Sequence, residues 1–466
     1  MMRNVNGLTK TSRSDMKKFF FAMGLAVAGT ASLQAANTPD SGSLSTTRLW
    51  NVSATLRGFY DDNYDTANSG ANARGSYGFE VSPRIMLAVP LQQTELGLRN
   101  TYAMTYYEER DRLGQSAVDQ SDQLDLWVDH AFTERWHAKV MDTFAVGQEP
   151  QLFVPNGQAA ALLARVSGDN IRNTGTVTLN TDWTRLFSTM LSYQNSFYDY
   201  RNSGASVADV VPPFYGGNGT GSSLAGRLNR IDQLVSLDLQ WRLAPQTIAF
   251  FGGAFEQVDF TADEPVAFNE AGYLLGPQFG PPIYYSSDRN NRSYFGYLGV
   301  QHNFLPNLNV SAKAGVQYSE TYNDPLSSPT VAPYAVVSAV YTYNPGSYVQ
   351  IGFTHARNAT DVISPDPTTG KVTQDQESSV VYGSLNHLIT RKLLGSLIGS
   401  WQYSTFHQGV YNDTSESFYS VGLNLSYTFT PHFSADAGYN FDDVQTDIQG
   451  RGYTRNRVYL GVTAAY

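Results

Sequence analysis

From Trp50 to the end of the chain, apolar and polar positions alternate with a period of two, which is the period of β-strands. Trp50, Val52, Ala54, Leu56, Gly58 and Tyr60 share one face, while Asn51, Ser53, Thr55 and Arg57 share the other. Val235, Leu237, Leu239 and Trp241 alternate in the same way with Ser236, Asp238, Gln240 and Arg242, as do Tyr419, Val421, Leu423, Leu425 and Tyr427 with the polar residues between them. Each run lasts about ten residues, the roughly 9 to 11 that a tilted strand needs to cross a bilayer.

Short and long connections take turns along the chain. Short ones fall near Pro90-Leu91-Gln92, Thr133-Glu134-Arg135, Thr181-Asp182-Trp183-Thr184, Ala244-Pro245, Leu305-Pro306-Asn307, Asn344-Pro345-Gly346, Ile389-Thr390-Arg391 and Thr430-Pro431, all with hairpin chemistry or hairpin length. Long ones, such as 61–75, 108–121, 203–223 and 357–377, are polar and rich in Gly, Asn, Asp and Ser. Nine long and eight short connections predict 18 strands. A soluble sandwich or propeller of that size would need two domains and a linker, and no linker is visible. The expectation is therefore an all-β chain, with residues 48–466 forming a single transmembrane antiparallel up-and-down β-barrel of 16 to 18 strands. Its short turns would face the periplasm and its long loops the exterior. Apolar alternates would then face lipid, with Trp50, Tyr60, Trp136, Tyr297, Tyr343, Trp401, Tyr427 and Phe429 in interfacial girdles.

Composition narrows the chemistry. The 466 residues include 40 Gly, 30 Tyr and 25 Phe but no Cys, which excludes disulfides, Cys-ligated metals and thiol nucleophiles. A mean hydropathy of -0.31 and the lack of a late apolar run near 20 residues exclude a helical multi-span protein. At the N-terminus, Lys17 and Lys18 precede an apolar stretch from Phe19 to Ala31, and Ser32-Leu33-Gln34-Ala35-Ala36 offers a small-residue cleavage site. Residues 1–35 thus read as a secretory signal peptide with its start at Met1 or Met16, and 36–47 as a short periplasmic segment, too short for an internal plug. The formal charge of -10 becomes more negative once the basic leader is removed. Only Lys139, Lys313, Lys371 and Lys392 remain as lysines beyond it, so nucleic acid is excluded as a partner.

Charged alternates on the polar face are candidate pore-lining residues: Arg57, Glu80, Arg84, Glu95, Arg99, Asp125, Asp129, Asp238, Arg242, Glu256, Lys313 and Arg457. Arg or Lys on the lipid face would cost about 2 to 4 kcal/mol at the midplane, so these side chains point to a watery interior. Arg84 and Arg99 flank the turn near Gln92 at similar distances and are expected opposite one another, with Glu80 and Glu95 close by, either orienting polar solutes or stiffening the wall. The final strand carries Val458, Leu460, Val462 and Tyr466 on one face, resembling the C-terminal signal read by the outer-membrane insertion machinery of Gram-negative bacteria. Two long loops, 151–167 and 265–285, are too apolar to be merely solvated; one or both are expected to fold into the mouth and narrow the pore, or else to meet lipopolysaccharide or a neighbouring protomer. The seven His show no ligand spacing, and the acidic run Asp61-Asp62-Asn63-Tyr64-Asp65 lacks the Gly of a Ca²⁺ loop, so no catalytic residue, metal or cofactor is expected.

Segments such as Arg57-Gly58-Phe59-Tyr60-Asp61-Asp62-Asn63-Tyr64, Asp129-His130-Ala131-Phe132-Thr133-Glu134-Arg135-Trp136 and Asp142-Thr143-Phe144 resemble those of a family of outer-membrane β-barrel porins, type 2. The resemblance implies a Gram-negative outer-membrane location and passive diffusion of small hydrophilic solutes rather than catalysis. It implies lipid, lipopolysaccharide and the insertion machinery as partners, with a homo-oligomer as a further option. An export conduit for exopolysaccharide and a non-conducting structural or adhesin barrel are the other readings.

Overall fold

The computed structural model describes residues 49–68, 73–147 and 169–466. The expected signal peptide, the 36–47 segment and the apolar loop 151–167 lie outside them.

Alternation becomes structure in eighteen antiparallel wall strands. They are β1 (Trp50–Asp61), β2 (Ser76–Pro90), β3 (Thr94–Tyr107), β4 (Val118–Ala131), β5 (Trp136–Gly147), β6 (Asn170–Asp182), β7 (Phe187–Tyr200), β8 (Arg230–Ala244) and β9 (Thr247–Phe260). A small hairpin, β10 (Pro265–Phe268) with β11 (Ile283–Tyr285), lies in the following loop. The wall resumes with β12 (Asn291–Leu305), β13 (Leu308–Thr321), β14 (Thr330–Asn344), β15 (Ser347–Ala359), β16 (Asp375–Leu388), β17 (Leu393–His407), β18 (Ser415–Thr430), β19 (Phe433–Thr446) and β20 (Tyr453–Ala465). Each wall strand pairs with its neighbours in sequence, and β1 pairs with β20 from Ser53↔Ala465 to Asp61↔Arg457. Tyr466 extends this seam by exchanging backbone hydrogen bonds with Val52. The sheet is thus a closed cylinder without a free edge, the form a sheet needs to cross hydrocarbon.

The short turns explain their own sequences. Four are two-residue connections, and each begins with a proline: Pro245, Pro306, Pro345 and Pro431. Thr133, Thr184 and Thr390 organise longer ones, since each hydroxyl accepts backbone N–H bonds from the residues two and three further on.

Faces follow the register. Val52, Leu56, Leu237, Leu298, Val316, Leu423 and Leu460 all stand exposed on the outer surface. One expected girdle member is a correction: Tyr297 is only 3% exposed and lies on the inner face of β12, its hydroxyl donating to Asp238 at 2.8 Å. An aromatic fits either face, so alternation in a strand with Phe295 and Tyr297 on one side and Tyr294 and Leu298 on the other does not reveal which is outside.

The inner wall also explains part of the glycine content. Phe59, Trp127, Phe250, Tyr297, Tyr382 and Tyr459 each sit directly across from a glycine, respectively Gly78, Gly97, Gly299, Gly252, Gly352 and Gly438. A Cβ on Gly97 would lie 1.9 Å from the Trp127 ring, so the missing side chain lets the indole lie flat on the wall instead of projecting into the lumen.

Candidate functional site

The inner face of the barrel draws Arg57, Glu80, Arg99, Asp125 and Arg457 into ion pairs. At the seam, Arg57 on β1 reaches across β20 to Asp436 on β19, Nε to Oδ2 3.0 Å, and its Nη1 lies 3.6 Å from Glu80 on β2. Gly461 on β20 makes that crossing possible: a Cβ there would meet Arg57 Cγ at 2.6 Å and Asp436 Oδ1 at 2.8 Å. Higher on the same seam, Asp61 accepts from Arg455 and Arg457, and Arg457 also donates to the Tyr107 hydroxyl at 3.0 Å. The first and last strands are therefore tied by side chains as well as by their ladder.

A second cluster joins β3, β4 and β5. Arg99 Nη2 lies 2.7 Å from Asp125 Oδ2, and Asp125 also accepts from Gln123 and Thr143. Arg84 and Arg99 are not directly opposite one another: Arg84 is in register with Thr101 and Arg99 with Met86. Glu80 lies 3.6 Å from Arg57, and Glu95 sits beside the turn, where Trp127 Nε1 donates to it at 3.4 Å. Equal distance from a turn fixes register only when the turn length is known, and here the three residues 91–93 shift the pairing by two.

Across the barrel, Asp238 on β8 accepts from Tyr297, and Lys313 on β13 lies over the Tyr297 and Tyr334 rings at 4.6 and 5.3 Å from their centroids. Glu256 on β9 shares this inner face, in register with Ser293. Asp129 and Arg242 also lie on the inner face, toward the short-turn end, where both are exposed. Val458, Leu460, Val462 and Tyr466 share the outer face of the last strand, with Leu460 71% exposed.

The long loops supply a feature that alternation could not reveal. The 360–374 loop, between β15 and β16, meets loops seated far round the rim. Asp361 receives a bidentate bond from Arg451 of the β19–β20 loop, 2.7 and 2.8 Å, while Arg451 Nε bonds Glu416 at 2.5 Å. Arg289 of the β9–β12 loop donates to the Thr360 carbonyl and, at 2.9 Å, to the Arg227 carbonyl of the β7–β8 loop. Tyr284 donates to the Gly370 carbonyl, and Val266, Ala267, Tyr284 and Val372 form a buried cluster with Ile363 beside it. Val362, Phe406 and Ile448 form another. Loops attached from β7 round to β20 can converge only by leaning over the lumen, so they make a packed cap across the mouth. Val266, Ala267, Ala271 and Tyr284 of the apolar 265–285 segment are covered here, whereas Tyr273, Leu274 and Leu275 stay exposed.

Electrostatics reinforce the hub. Burial opposes ionisation of Asp361, but the Arg451 charge and hydrogen bonds, assisted by Arg227, override it and hold the carboxyl below its ordinary range. Burial likewise pulls the Arg289 guanidinium down while Asp361 counteracts it. The acidic run near the first loop is similarly engaged: Asp61 by two arginines, Asp62 by Asn456, and Asp65 by Arg110 at 3.6 Å. Among the described residues, no group of three or more His, Asp or Glu could hold a metal ion, and no helix is long and apolar enough to cross a membrane.

Comparison with known proteins bears on this wall. Residues 367–466 match the family described as "Putative beta-barrel porin 2". The match covers strands β16 to β20, including the closing strand. Solved structures similar to the chain include OccAB4 of Acinetobacter baumannii, at 10% identity, covering 90% of this chain and 99% of that one with a TM-score of 0.41. They also include OpdK of Pseudomonas aeruginosa with vanillate, at 8% identity, 90% and 99% coverage and a TM-score of 0.40. A mutant ferric enterobactin receptor of Pseudomonas aeruginosa, at 11% identity, covers 89% of this chain and 80% of that one with a TM-score of 0.41. Scores this low carry no weight beside the strand pairing itself. No curated protein matches the sequence.

Proposed function

We propose that this chain is an outer-membrane porin-like channel for passive diffusion of small hydrophilic solutes. The observation that carries the reading is the division of one closed wall into two chemistries: apolar side chains on the convex face, and Arg57, Arg99, Asp125, Asp238, Lys313 and Arg457 on the concave face. Eighteen strands enclose more space than side chains fill, and a charged interior of that width holds water. The porin-family match of the C-terminal strands supports the same reading. Arg57, Glu80, Arg84, Glu95, Arg99, Asp125, Asp129, Asp238, Arg242, Glu256, Lys313 and Arg457 would line the passage, and the ring-over-glycine pairs keep aromatic bulk against its wall. The exposed row of Val458, Leu460, Val462 and Tyr466 would serve the insertion machinery. The loop cap would set the size limit at the mouth and act by obstruction, with no chemical step. Liposome swelling tests this: proteoliposomes should swell in small uncharged sugars at rates that fall with solute size, and rates equal to those of protein-free liposomes would refute it.

A further inference from the structure

The outer surface is not uniformly apolar. On β3 to β7 the polar side chains of Asn100, Asp122, Asp142, Asn173 and Asn195 face outward beside apolar neighbours. Their placement follows from the register, because Asp142 is opposite the exposed Leu126, and Asn173 is opposite Phe144. Asp142 and Asn195 are not rim residues. Asp142 has Phe144 and Val146 above it and Val140, Ala138 and Trp136 below, while Asn195 lies between Phe197 above and Tyr193 and Leu191 below.

These side chains are built into the surface. Asn173 donates to both Asp142 oxygens at 3.0 and 3.1 Å, and Asn100 donates to Asp122 at 2.8 Å. Gly175, in register with Asp142, leaves room for the carboxylate to lie on the wall, since a Cβ there would sit 3.2 Å from Asp142 Oδ1. Asn195 continues the row, facing Gly175 on one side and Gln233 on the other. On β13 the outer positions are apolar, Val310, Ala312, Ala314 and Val316, as are Val421, Leu423 and Leu425 on β18, while Gln233, Gln257, His355 and Ser379 are outward polar positions nearer the long-loop ends of their strands.

Acyl chains offer no partner to a carboxylate or a carboxamide, so a patch of this chemistry at that depth is unfavourable against lipid. We propose that the β3–β7 face is an interface in the membrane with a second copy of this chain. Carboxamides both donate and accept, so three of them beside two carboxylates can pair with a rotated image of the same patch, whose amide groups supply the donors the Asp oxygens still accept. A different protein would need its own matching patch, whereas a second copy brings one by symmetry. The proposal rests on the membrane-facing reading of the outer wall and goes beyond it by locating the contact.

The test places a photo-crosslinking residue, p-benzoyl-phenylalanine, at Val140 or Val177, both exposed beside the patch, or at Val316 or Leu423 on the far side, and irradiates intact outer-membrane fractions. A species of twice the protomer mass is expected from the first pair and not from the second. The double variant Asp142→Leu with Asn173→Leu, which keeps the outward parity and suits lipid, should lose at least about tenfold of that species while remaining inserted. No crosslink, equal crosslinks on both sides, capture of a different protein only, or an unchanged yield in the double variant would each overturn the proposal. A membrane-bound monomer removes this inference alone; recovery of the chain in the soluble fraction removes the channel reading as well.

Discussion

Replacing Arg451 by Met should unfasten the loop cap, because a single guanidinium holds two carboxylates from two other elements. Asp361 is 2% and Glu416 8% exposed at their side chains, and Arg451 itself 15%, so the contacts are made away from water. Breaking a buried pair by removing one partner typically costs about 3 to 5 kcal/mol, because the remaining charge stays buried. Arg227 still attracts Asp361, which favours the lower end, about 3 kcal/mol. At about 1.4 kcal/mol per factor of ten, the displaced-cap population rises roughly a hundredfold. Single-channel recording in planar bilayers should show this as higher mean conductance or longer fully open periods in Arg451→Met than in wild type. The pair also has a defined pH window. The folded pKa of Asp361 is depressed below the ordinary 3.8, so its stabilisation is fully present above 3.8 and disappears as pH falls through the lower folded value. The wild-type channel should therefore open in acid below about pH 4, a transition Arg451→Met should lack. Identical conductance and gating in the two proteins across about pH 3 to 7 would refute the cap as a constriction.

Other consequences follow from the wall. Asp436→Ala leaves Arg57 without its 3.0 Å partner at the seam and should lower the unfolding temperature in detergent; an unchanged heat-modifiable gel shift would count against a role in closure. Gly97→Val should tip the Trp127 indole off the wall and lower both stability and conductance, whereas Gly58→Val on the outer face, where a Cβ meets nothing within 4 Å, should leave conductance unaltered. Lys313→Met removes a cation from the lumen beside Asp238 and should shift the zero-current potential in a KCl gradient toward cation selectivity; an unchanged potential would show that Lys313 does not face the permeating ions.

The period of two makes the strand count, the alternation of short and long connections, and the faces of β1, β8, β18 and β20 legible in the amino-acid sequence, because each of those faces carries an unbroken run of apolar residues, such as Val235 to Trp241 on β8 and Val458 to Ala464 on β20. Where a residue type suits both environments the pattern is silent, which is why Tyr297 reads as a girdle residue while it lies in the lumen on Asp238. The ion pairs were legible only as a set of charges. Their partners depend on turn length and on gaps such as Gly461, which lets Arg57 reach a strand two positions away. The cap was invisible because Arg227, Arg289, Asp361 and Arg451 come from separate loops with no periodicity. The outward Asp142 and Asn173 escaped notice for a related reason: read along one strand, a polar residue at an outward position looks like a lapse in the pattern, and only the register of several strands shows a patch.

The most direct test of the central claim, a water-filled lumen inside a lipid-facing wall, is the conductance of the purified full-length protein in a planar bilayer. Discrete, salt-dependent steps in concentrated KCl are expected, larger in Arg451→Met than in wild type. An inserted barrel that leaves the bilayer insulating in both forms would contradict it.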